Sequence, residues 1–227
     1  MYYETDTNRH GLKFDPFKAL VAPRPIGWIA TVSSSGVHNL APYSFFNAVS
    51  DRPPVVMFSS VGRKDSLINI EANGEFTCSL ATWGLREQMN LSSAPVVHGV
   101  DEFVLAGLTA APGNAVKSAR VGESPAAFEC RHWKTVELPD FSTATSQRKP
   151  GHRQFVVFGL VVGIYIDERF IRDGLVDTAA IRPLARMGYM DYSVVTPEST
   201  FTMNRPIASA DGKTASVQPG PWDGVYR

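Results

Sequence analysis

One short stretch of the chain carries side chains suited to holding a phosphate group. The residues Ser59–Ser66 (SSVGRKDS) combine three serine hydroxyls, a glycine turn and two cations, Arg63 and Lys64, just before a predicted helix. A phosphate monoester binds to such donors, and a helix N-terminus adds a favourable partial charge. An ordinary solvated turn has the same composition, and on this stretch alone that interpretation is favoured.

A second segment, Asn39–Asn47 (NLAPYSFFN), has the apolar content of a strand but contains Pro42 and the small polar residue Ser44. Proline in a strand indicates an edge or an irregularity, which leaves backbone N–H and C=O groups free. The edge of an isoalloxazine ring has complementary donors and acceptors, and the aromatic residues supply apolar surface for its faces. The alternative is a bulged edge strand whose phenylalanines belong to the core.

A third segment, Arg24–Ser33 (RPIGWIATVS), is the least specific. Thr31 and Ser33 lie two residues apart and therefore share one face of a strand, where their hydroxyls could contact a ribityl chain. Trp28 is equally consistent with a core position.

Other chemistry has no recognisable motif here. The chain lacks GxGxxG, GxxxxGK[ST], GxSxG and HExxH, and its five histidines show no metal-ligand spacing. Cys78 and Cys130 lie in apolar runs without a CxxC pattern, which favours two buried thiols over a structural disulfide.

Composition limits the class of protein. In 227 residues, 44% are hydrophobic, and 22 Lys and Arg balance 22 Asp and Glu. The zero net charge gives no case for binding nucleic acid or an anionic membrane surface. The N-terminus does not resemble a signal peptide, and the longest apolar run, Phe155–Ile166, is shorter than a membrane helix. We therefore expect a soluble, cytoplasmic protein.

The pattern of the chain predicts a mainly β fold. Expected strands share β-branched and aromatic residues between turn signals, and they cover Ile26–Ser33, Asn39–Val49, Pro54–Ser60, Phe76–Thr82, Ala126–Leu138 and Arg153–Asp167. Mostly sequential strands with few helices favour a closed or split barrel over a parallel sheet.

Helices are few and short in this prediction. Lys64–Ala72 is expected to be helical, with Asp65 or Ser66 as its cap and Asn73-Gly74 at its end, and Leu85–Leu91 is a second helix. Residues 94–122 are expected to form an insertion or a lid-like connection. We assign residues 1–195 to one domain and residues 196–227 to an irregular tail, which is expected to contact a partner subunit.

Together and in this order, the segments resemble the flavin reductase-like family, the FMN-binding split-barrel proteins that include flavoredoxin. The resemblance rests on RPIGWIATVS, NLAPYSFFNAVS, PPVVMFSS and GRKDSLINI, with weaker matches in SAPVVHGVDEFVLAGLT, FVVFGLVVGIYID and IRPLARMGYMDYSVV. It extends over residues 12–195. It implies a Greek-key split β-barrel with a few short helices, a homodimer, and FMN near the subunit interface.

The resemblance also implies a set of cofactor-binding residues. Thr31, Val32 and Ser33 would line the cofactor, and His98 would reach the ring from one subunit or the other. The ring and the ribityl chain would contact the segment that contains Ala41, Pro42, Tyr43, Ser44, Phe45 and Asn47. The phosphate would be held by Ser59, Ser60, Arg63, Lys64 and Ser66.

Two functions follow from this resemblance. The first is an NAD(P)H-dependent flavin reductase that transfers hydride to FMN, with a small-molecule electron donor and acceptor and, by the same resemblance, a partner monooxygenase. Such chemistry needs no separate acid or base, because the cofactor carries it. The second is an FMN-holding electron carrier without nicotinamide activity, and the sequence leaves both open.

Overall fold

The computed structural model describes residues 1–5, 7–139 and 153–225. Its centre is a seven-stranded antiparallel sheet. In chain order the strands are β1 (Gly27–Val32), β2 (His38–Tyr43), β3 (Phe46–Asp51), β4 (Pro54–Val61), β5 (Glu75–Leu80), β6 (Ala126–Glu137) and β7 (Gln154–Ile166). Each lies within a segment that the sequence predicts to be extended, apart from end residues.

The order of the strands in the sheet explains its shape. That order is β2-β1-β5-β6-β7-β4-β3, so β2 and β3 occupy opposite edges although only Ser44 and Phe45 separate them in the chain. Three Cα–Cα steps lead from Tyr43 to Phe46 and span at most about 11 Å, so the sheet must curl until its two edges come close. The result is a barrel that is split between β2 and β3.

The prediction of one continuous strand over Asn39–Val49 is therefore wrong. The chain leaves β2 after Tyr43, and β3 begins at Phe46 and pairs with β4 on the other edge. The sequence does not indicate this break, because Phe45 and Phe46 are aromatic residues of the kind that is common in strands. The expected irregularity near Pro42 is present, and Pro42 itself lies on an edge strand, where a missing N–H is tolerated.

Five α-helices accompany the sheet in the described residues: α1 (Phe17–Leu20), α2 (Asp65–Asn73), α3 (Arg86–Leu91), α4 (Glu102–Ala106) and α5 (Thr178–Ile181). Helix α2 ends as predicted, because Gly74 takes the left-handed conformation with φ of 70°. The predicted cap was wrong: Lys64 is the N-cap, without a side-chain cap, and Asp65 lies inside the first turn. The Asp65 and Ser66 side chains instead bond to other elements.

Two apolar clusters stabilise the fold on opposite faces of β1. Inside the barrel, Ile29 packs with Phe58 and Phe76, among other residues. On the outer face, Trp28 packs in a second cluster with Phe103 of α4 and other residues. Trp28 is fully buried, and its indole N–H donates to Ser92 Oγ at 2.9 Å, so the core interpretation of this tryptophan is confirmed.

The connection from residue 94 to residue 122 packs closely against the sheet. The Glu129 carboxylate of β6 accepts hydrogen bonds from the backbone N–H groups of Asn114, Ala115 and Val116 at 2.5–3.1 Å. Two short strands, Ala110–Ala111 and Arg120–Val121, pair with each other in this connection. Its first part, residues 94–98, and Glu102 of α4 border the cleft described below.

The chain that follows β7 forms small hairpins and short turns. A three-stranded sheet joins Arg24–Pro25, Leu184–Arg186 and Tyr192–Val194, and two-residue strands pair at Ile171–Arg172 with Leu175–Val176 and at Ile207–Ala208 with Ala215–Ser216. Short 3-10 turns occur at Glu168–Phe170 and Pro197–Ser199, and another lies earlier in the chain, at Trp83–Leu85. Beyond residue 196 the described residues hold only a 3-10 turn and one two-residue hairpin.

Both cysteines are free and buried, which confirms the prediction of two buried thiols. Within the described part of the chain, none of the helices has the length and apolarity needed to cross a membrane.

Candidate cofactor site

A cleft of about 680 Å³ opens where the barrel is split. The Tyr43–Phe45 turn between β2 and β3 forms one wall, the start of α2 forms another, and residues 186–192 close one side. Of the fifteen predicted site residues, nine line this cleft: Ala41, Pro42, Tyr43, Ser44, Phe45, Ser59, Lys64, Ser66 and His98. The remaining six are not among its lining residues.

One end of the cleft carries the donors expected for a phosphate. Ser59, Lys64 and Ser66 line it, and Lys64 stands at the N-terminus of the nine-residue helix α2. Lys64 forms no ion pair with any described carboxylate. The Ser59 N–H is already used, since it donates to the Phe45 carbonyl at 2.8 Å. An exposed, unpaired ammonium beside a helix N-terminus favours an anion at this end.

Arg63 lies elsewhere, although it precedes Lys64 directly. Its guanidinium forms an ion pair with Glu71, two turns further along α2, and lies 5.6 Å from the ring of Phe155. Successive residues leave a helix start in different directions, so only one of two adjacent cations faces the cleft. In this structure it is Lys64.

A buried network of polar side chains holds the walls of the cleft together. Ser66 Oγ donates to Asn39 Oδ1 at 2.9 Å, and Asn39 Nδ2 donates to Glu102 Oε2 at 3.0 Å. The backbone N–H of Leu40 donates to the same Glu102 oxygen at 2.9 Å. The network joins β2, α2 and α4, and it fixes Ser66 in the wall of the cleft.

Glu102 is the one carboxylate of this network, and it also lines the cleft. Burial raises the pKa of its carboxyl, while the hydrogen bonds from Leu40 and Asn39 oppose that change. The buried position thus favours the neutral acid more than water does.

The other predicted residues lie beside the cleft instead of in its wall. Thr31 is fully buried under α2, where Asn69 Nδ2 donates to its Oγ1 at 3.0 Å. Ser60 is buried and donates to the Gly62 carbonyl at 3.1 Å. Val32 ends β1, Ser33 lies in the turn that follows, and Asn47 is exposed on β3. Their contacts with a cofactor stay predictions.

The turn at the split supplies an irregular edge with apolar surface. Ala41 and Pro42 lie just before the end of the edge strand β2, and Ser44 and Phe45 cross to the opposite edge. The Tyr43 ring packs into the barrel core at 4.6 Å from the ring of Phe58. The Tyr43 hydroxyl is buried without a hydrogen bond of standard geometry among the described residues, and burial raises its pKa.

His98 is held at the mouth of the cleft by the first turn of α2. Its Nδ1 lies 2.7 Å from Asp65 Oδ1, and both residues line the cleft. A hydrogen bond at Nδ1 fixes the orientation of the ring and leaves Nε2 free to face a ligand. The sequence prediction named His98 but did not identify Asp65 as its partner.

Several lining residues were missed by the sequence prediction. They come from distant parts of the chain: Lys18, Arg24, Met89, Glu102, Arg186, Tyr189 and Tyr192. Arg24 and the IRPLARMGYMDYSVV segment were noticed in the sequence, but no local signal indicates that they meet. Only the pairing of Arg24–Pro25 with Leu184–Arg186 reveals it.

The residues present fit a bound FMN. The cleft has the size of a typical small-molecule site, and it combines apolar side chains with a few polar groups. Its irregular edge at Ser44–Phe45 suits a flat heterocycle, and Lys64 with the two serines suits a phosphate monoester.

Comparison with known proteins agrees with this geometry. Residues 20–181 match the model of the flavin reductase like domain. A protein of Deinococcus radiodurans is 38% identical over 182 residues, which cover 75% of this chain and 74% of that protein.

Solved structures show the same fold. The 2-nitrobenzoate 2-nitroreductase of Pseudomonas fluorescens superposes with a TM-score of 0.76 at 26% identity, over 92% of this chain and 100% of that one. Component B of nitrilotriacetate monooxygenase from Bacillus cereus gives a TM-score of 0.76 at 24% identity, over 89% and 98%. A Shewanella frigidimarina structure with a split barrel domain gives a TM-score of 0.72 at 19% identity, over 92% of this chain and 100% of that one.

The split barrel predicted from the sequence is thereby confirmed, and so is the family. This chain belongs to the flavin reductase-like family.

Proposed function

We propose that this protein binds FMN in the cleft at the barrel split and acts as an NAD(P)H-dependent flavin reductase. The observation that carries the proposal is the position of Lys64, an exposed cation at the start of α2, beside Ser59 and Ser66 in the wall of the cleft. The family supports flavin chemistry, and this donor set favours a flavin with a terminal phosphate.

In this proposal, each wall of the cleft has one task. Lys64, Ser59 and Ser66 hold the phosphate, and the Asn39–Glu102 network keeps Ser66 in place. Ala41–Phe45 supports the ring and excludes water from one of its faces. FMN, when bound, supplies the redox chemistry, and the protein supplies binding, orientation and hydrogen bonds.

The electron donor is proposed to be NAD(P)H. The cleft has a volume of about 680 Å³, and a nicotinamide can stack on an open flavin face without a Rossmann motif. The similarity to component B of nitrilotriacetate monooxygenase supports a reductase that serves a separate monooxygenase. An electron carrier without nicotinamide activity is the alternative that the experiment below distinguishes.

The experiment mixes the FMN-loaded protein with NADH or NADPH without oxygen and follows the visible absorbance of the flavin in a stopped-flow instrument. We expect at least one nucleotide to bleach the flavin, and oxygen or free flavin to restore the absorbance. If neither nucleotide acts at millimolar concentration while dithionite does, the protein is a carrier. If FMN does not bind with quenched fluorescence, the cofactor assignment itself is wrong.

A homodimer is part of the proposal. Trp133 of β6 is 67% exposed and Ile164 of β7 is 59% exposed, and these two strands are neighbours in the sheet. Large apolar side chains on two neighbouring strands favour burial against a second copy of the chain.

A further inference from the structure

Three side chains form a row across the small sheet that borders the cleft. Arg24 lies directly opposite Arg186 on neighbouring antiparallel strands, and Arg186 lies directly opposite Tyr192 on the next strand. Residues opposite each other in an antiparallel pair project from the same face of the sheet. All three residues line the cleft.

The two arginines of this row repel each other. Like charges directly opposite each other destabilise a sheet. Burial and the charge of Arg186 both lower the pKa of Arg24. Neither arginine forms an ion pair with a carboxylate in the described parts of the chain.

Backbone carbonyls compensate this charge only in part. Arg24 is 6% exposed, and its terminal nitrogens donate to the carbonyls of Lys18, Val21 and Met187. Its Nε is buried and has no hydrogen-bond partner among the described residues. Carbonyl contacts explain why Arg24 stays in place, but they do not explain why a second arginine stands opposite.

Arg186 is held with its guanidinium on an aromatic ring. It lies 4.4 Å from the centroid of Tyr192 and donates to the Tyr189 carbonyl at 2.5 Å. Tyr189 has φ of 52°, a left-handed conformation that non-glycine residues rarely adopt. A guanidinium fixed in this way is preorganised for a bidentate contact with a planar oxyanion.

We propose that Arg24 and Arg186 form a second anion site, which binds the oxyanion of the molecule that exchanges electrons with the flavin. The geometry favours a planar organic carboxylate, whose ring can lie along Tyr192 and Tyr189. The pair lies on the small three-stranded sheet and Lys64 at the start of α2, so the proposal separates this anion from the FMN phosphate. The inference rests on the proposed function, since it takes the same cleft to hold the flavin.

The FMN-loaded protein is titrated with benzoate, with its neutral analogue benzamide, and with ADP-ribose, which carries a pyrophosphate without nicotinamide. Binding is measured by calorimetry and by the change in flavin absorbance. We expect benzoate to bind at least tenfold more tightly than benzamide. If ADP-ribose binds more tightly than benzoate and also depends on Arg186, the oxyanion site stands and its source is a nucleotide.

Variants of Arg186 test the site, because this half-buried residue is less essential to the fold than Arg24. We expect Arg186→Gln to lose at least tenfold in anion affinity and Arg186→Lys to lose less, with a loss of FMN affinity in Arg186→Gln that is smaller than its loss of anion affinity. Arg86→Gln is the matched control, because Arg86 also lies beside an aromatic ring, that of Trp83, but outside the cleft.

Two results would overturn the inference. One is benzoate and ADP-ribose affinity that does not change in Arg186→Gln. The other is a loss of FMN affinity in that variant that exceeds the loss of anion affinity, which would assign the arginine pair to the FMN phosphate. If FMN does not bind at all, the proposed function fails, and the same calorimetric titrations on the unloaded protein still test the anion site.

Discussion

Asn39 Nδ2 lies 3.0 Å from Glu102 Oε2, and this hydrogen bond joins the edge strand of the barrel to a helix 63 residues further along the chain. Because Asn39 also accepts from Ser66 of α2, the pair connects both walls of the cleft. The carboxyl of Glu102 is therefore a structural group whose protonation affects the site.

The raised pKa of Glu102 gives the first prediction. Since its pKa is higher in the folded state than in the unfolded chain, its contribution to stability is present at low pH and is lost as pH rises from about 4.5 through the raised value. Glu102→Gln keeps an acceptor oxygen but does not titrate. We expect the free energy of unfolding of this variant, relative to the native protein, to increase as pH rises through that window.

The measurement is denaturant unfolding at several pH values. Glu87→Gln serves as the control, because this variant also removes one carboxylate, but from an exposed residue. A difference between Glu102→Gln and the native protein that stays constant with pH would contradict the pKa shift.

The phosphate assignment gives a second prediction. Lys64→Ala is expected to weaken FMN binding by about 1.5–3 kcal/mol, the range for a hydrogen bond to a charged group, and to leave riboflavin binding unchanged. Arg63→Ala is the matched neighbour, and it is expected to change FMN affinity less than twofold because Arg63 pairs with Glu71. Fluorescence quenching measures both. A larger loss in Arg63→Ala than in Lys64→Ala would reverse the assignment.

The sequence predicts the strands well because local composition determines them. β-Branched and aromatic residues mark β1, β4 and β7, and Gly74 marks the end of α2. The family resemblance then supplies the closed architecture, which local patterns do not specify.

The rest could not be predicted because it depends on contacts between distant segments. The break at Ser44–Phe45 occurs inside an apolar run, and only the position of β2 and β3 at opposite edges of the sheet requires it. Likewise, the row of Arg24 and Arg186 needs a strand pairing across 162 residues. Arg63 pairs with Glu71 whereas Lys64 lines the cleft, and this difference in position depends on the direction of each side chain at the start of α2.

The buried thiols give a third prediction. Burial raises the pKa of Cys78 to about 12 and that of Cys130 well above the usual value, so little thiolate forms near neutral pH. We expect neither cysteine to react with a disulfide reagent in the native protein at pH 8, and two thiols to react after unfolding without reductant. Fewer than two thiols after unfolding would indicate a disulfide or an oxidised cysteine.

Assembly gives a fourth prediction. We expect light scattering at micromolar concentration to find a dimer, and Trp133→Glu to shift it toward monomer because a charge is costly in an apolar interface. Leu175→Glu is a control at an exposed apolar residue on the small hairpin of residues 171–176. A native protein that is monomeric under these conditions would contradict the proposal.

The close approach of Gly159 to the core gives the last prediction. Gly159 lies in β7 at a register shift against β6, and a Cβ atom there would lie 2.6 Å from Phe76 Cε1 and 3.1 Å from Cys130 Cβ. Phe76 is fully buried, so its ring has little space to move. Gly159→Ala is expected to destabilise the protein by about 1–3 kcal/mol, the cost of overpacking.

At Gly163, on the same strand, the nearest atom to an added Cβ would be Glu129 Cβ at 3.4 Å, and we expect Gly163→Ala to change stability by less than about 0.5 kcal/mol. Denaturant unfolding of both variants checks the difference, and equal stability would mean that the ring of Phe76 can yield to a methyl group at residue 159.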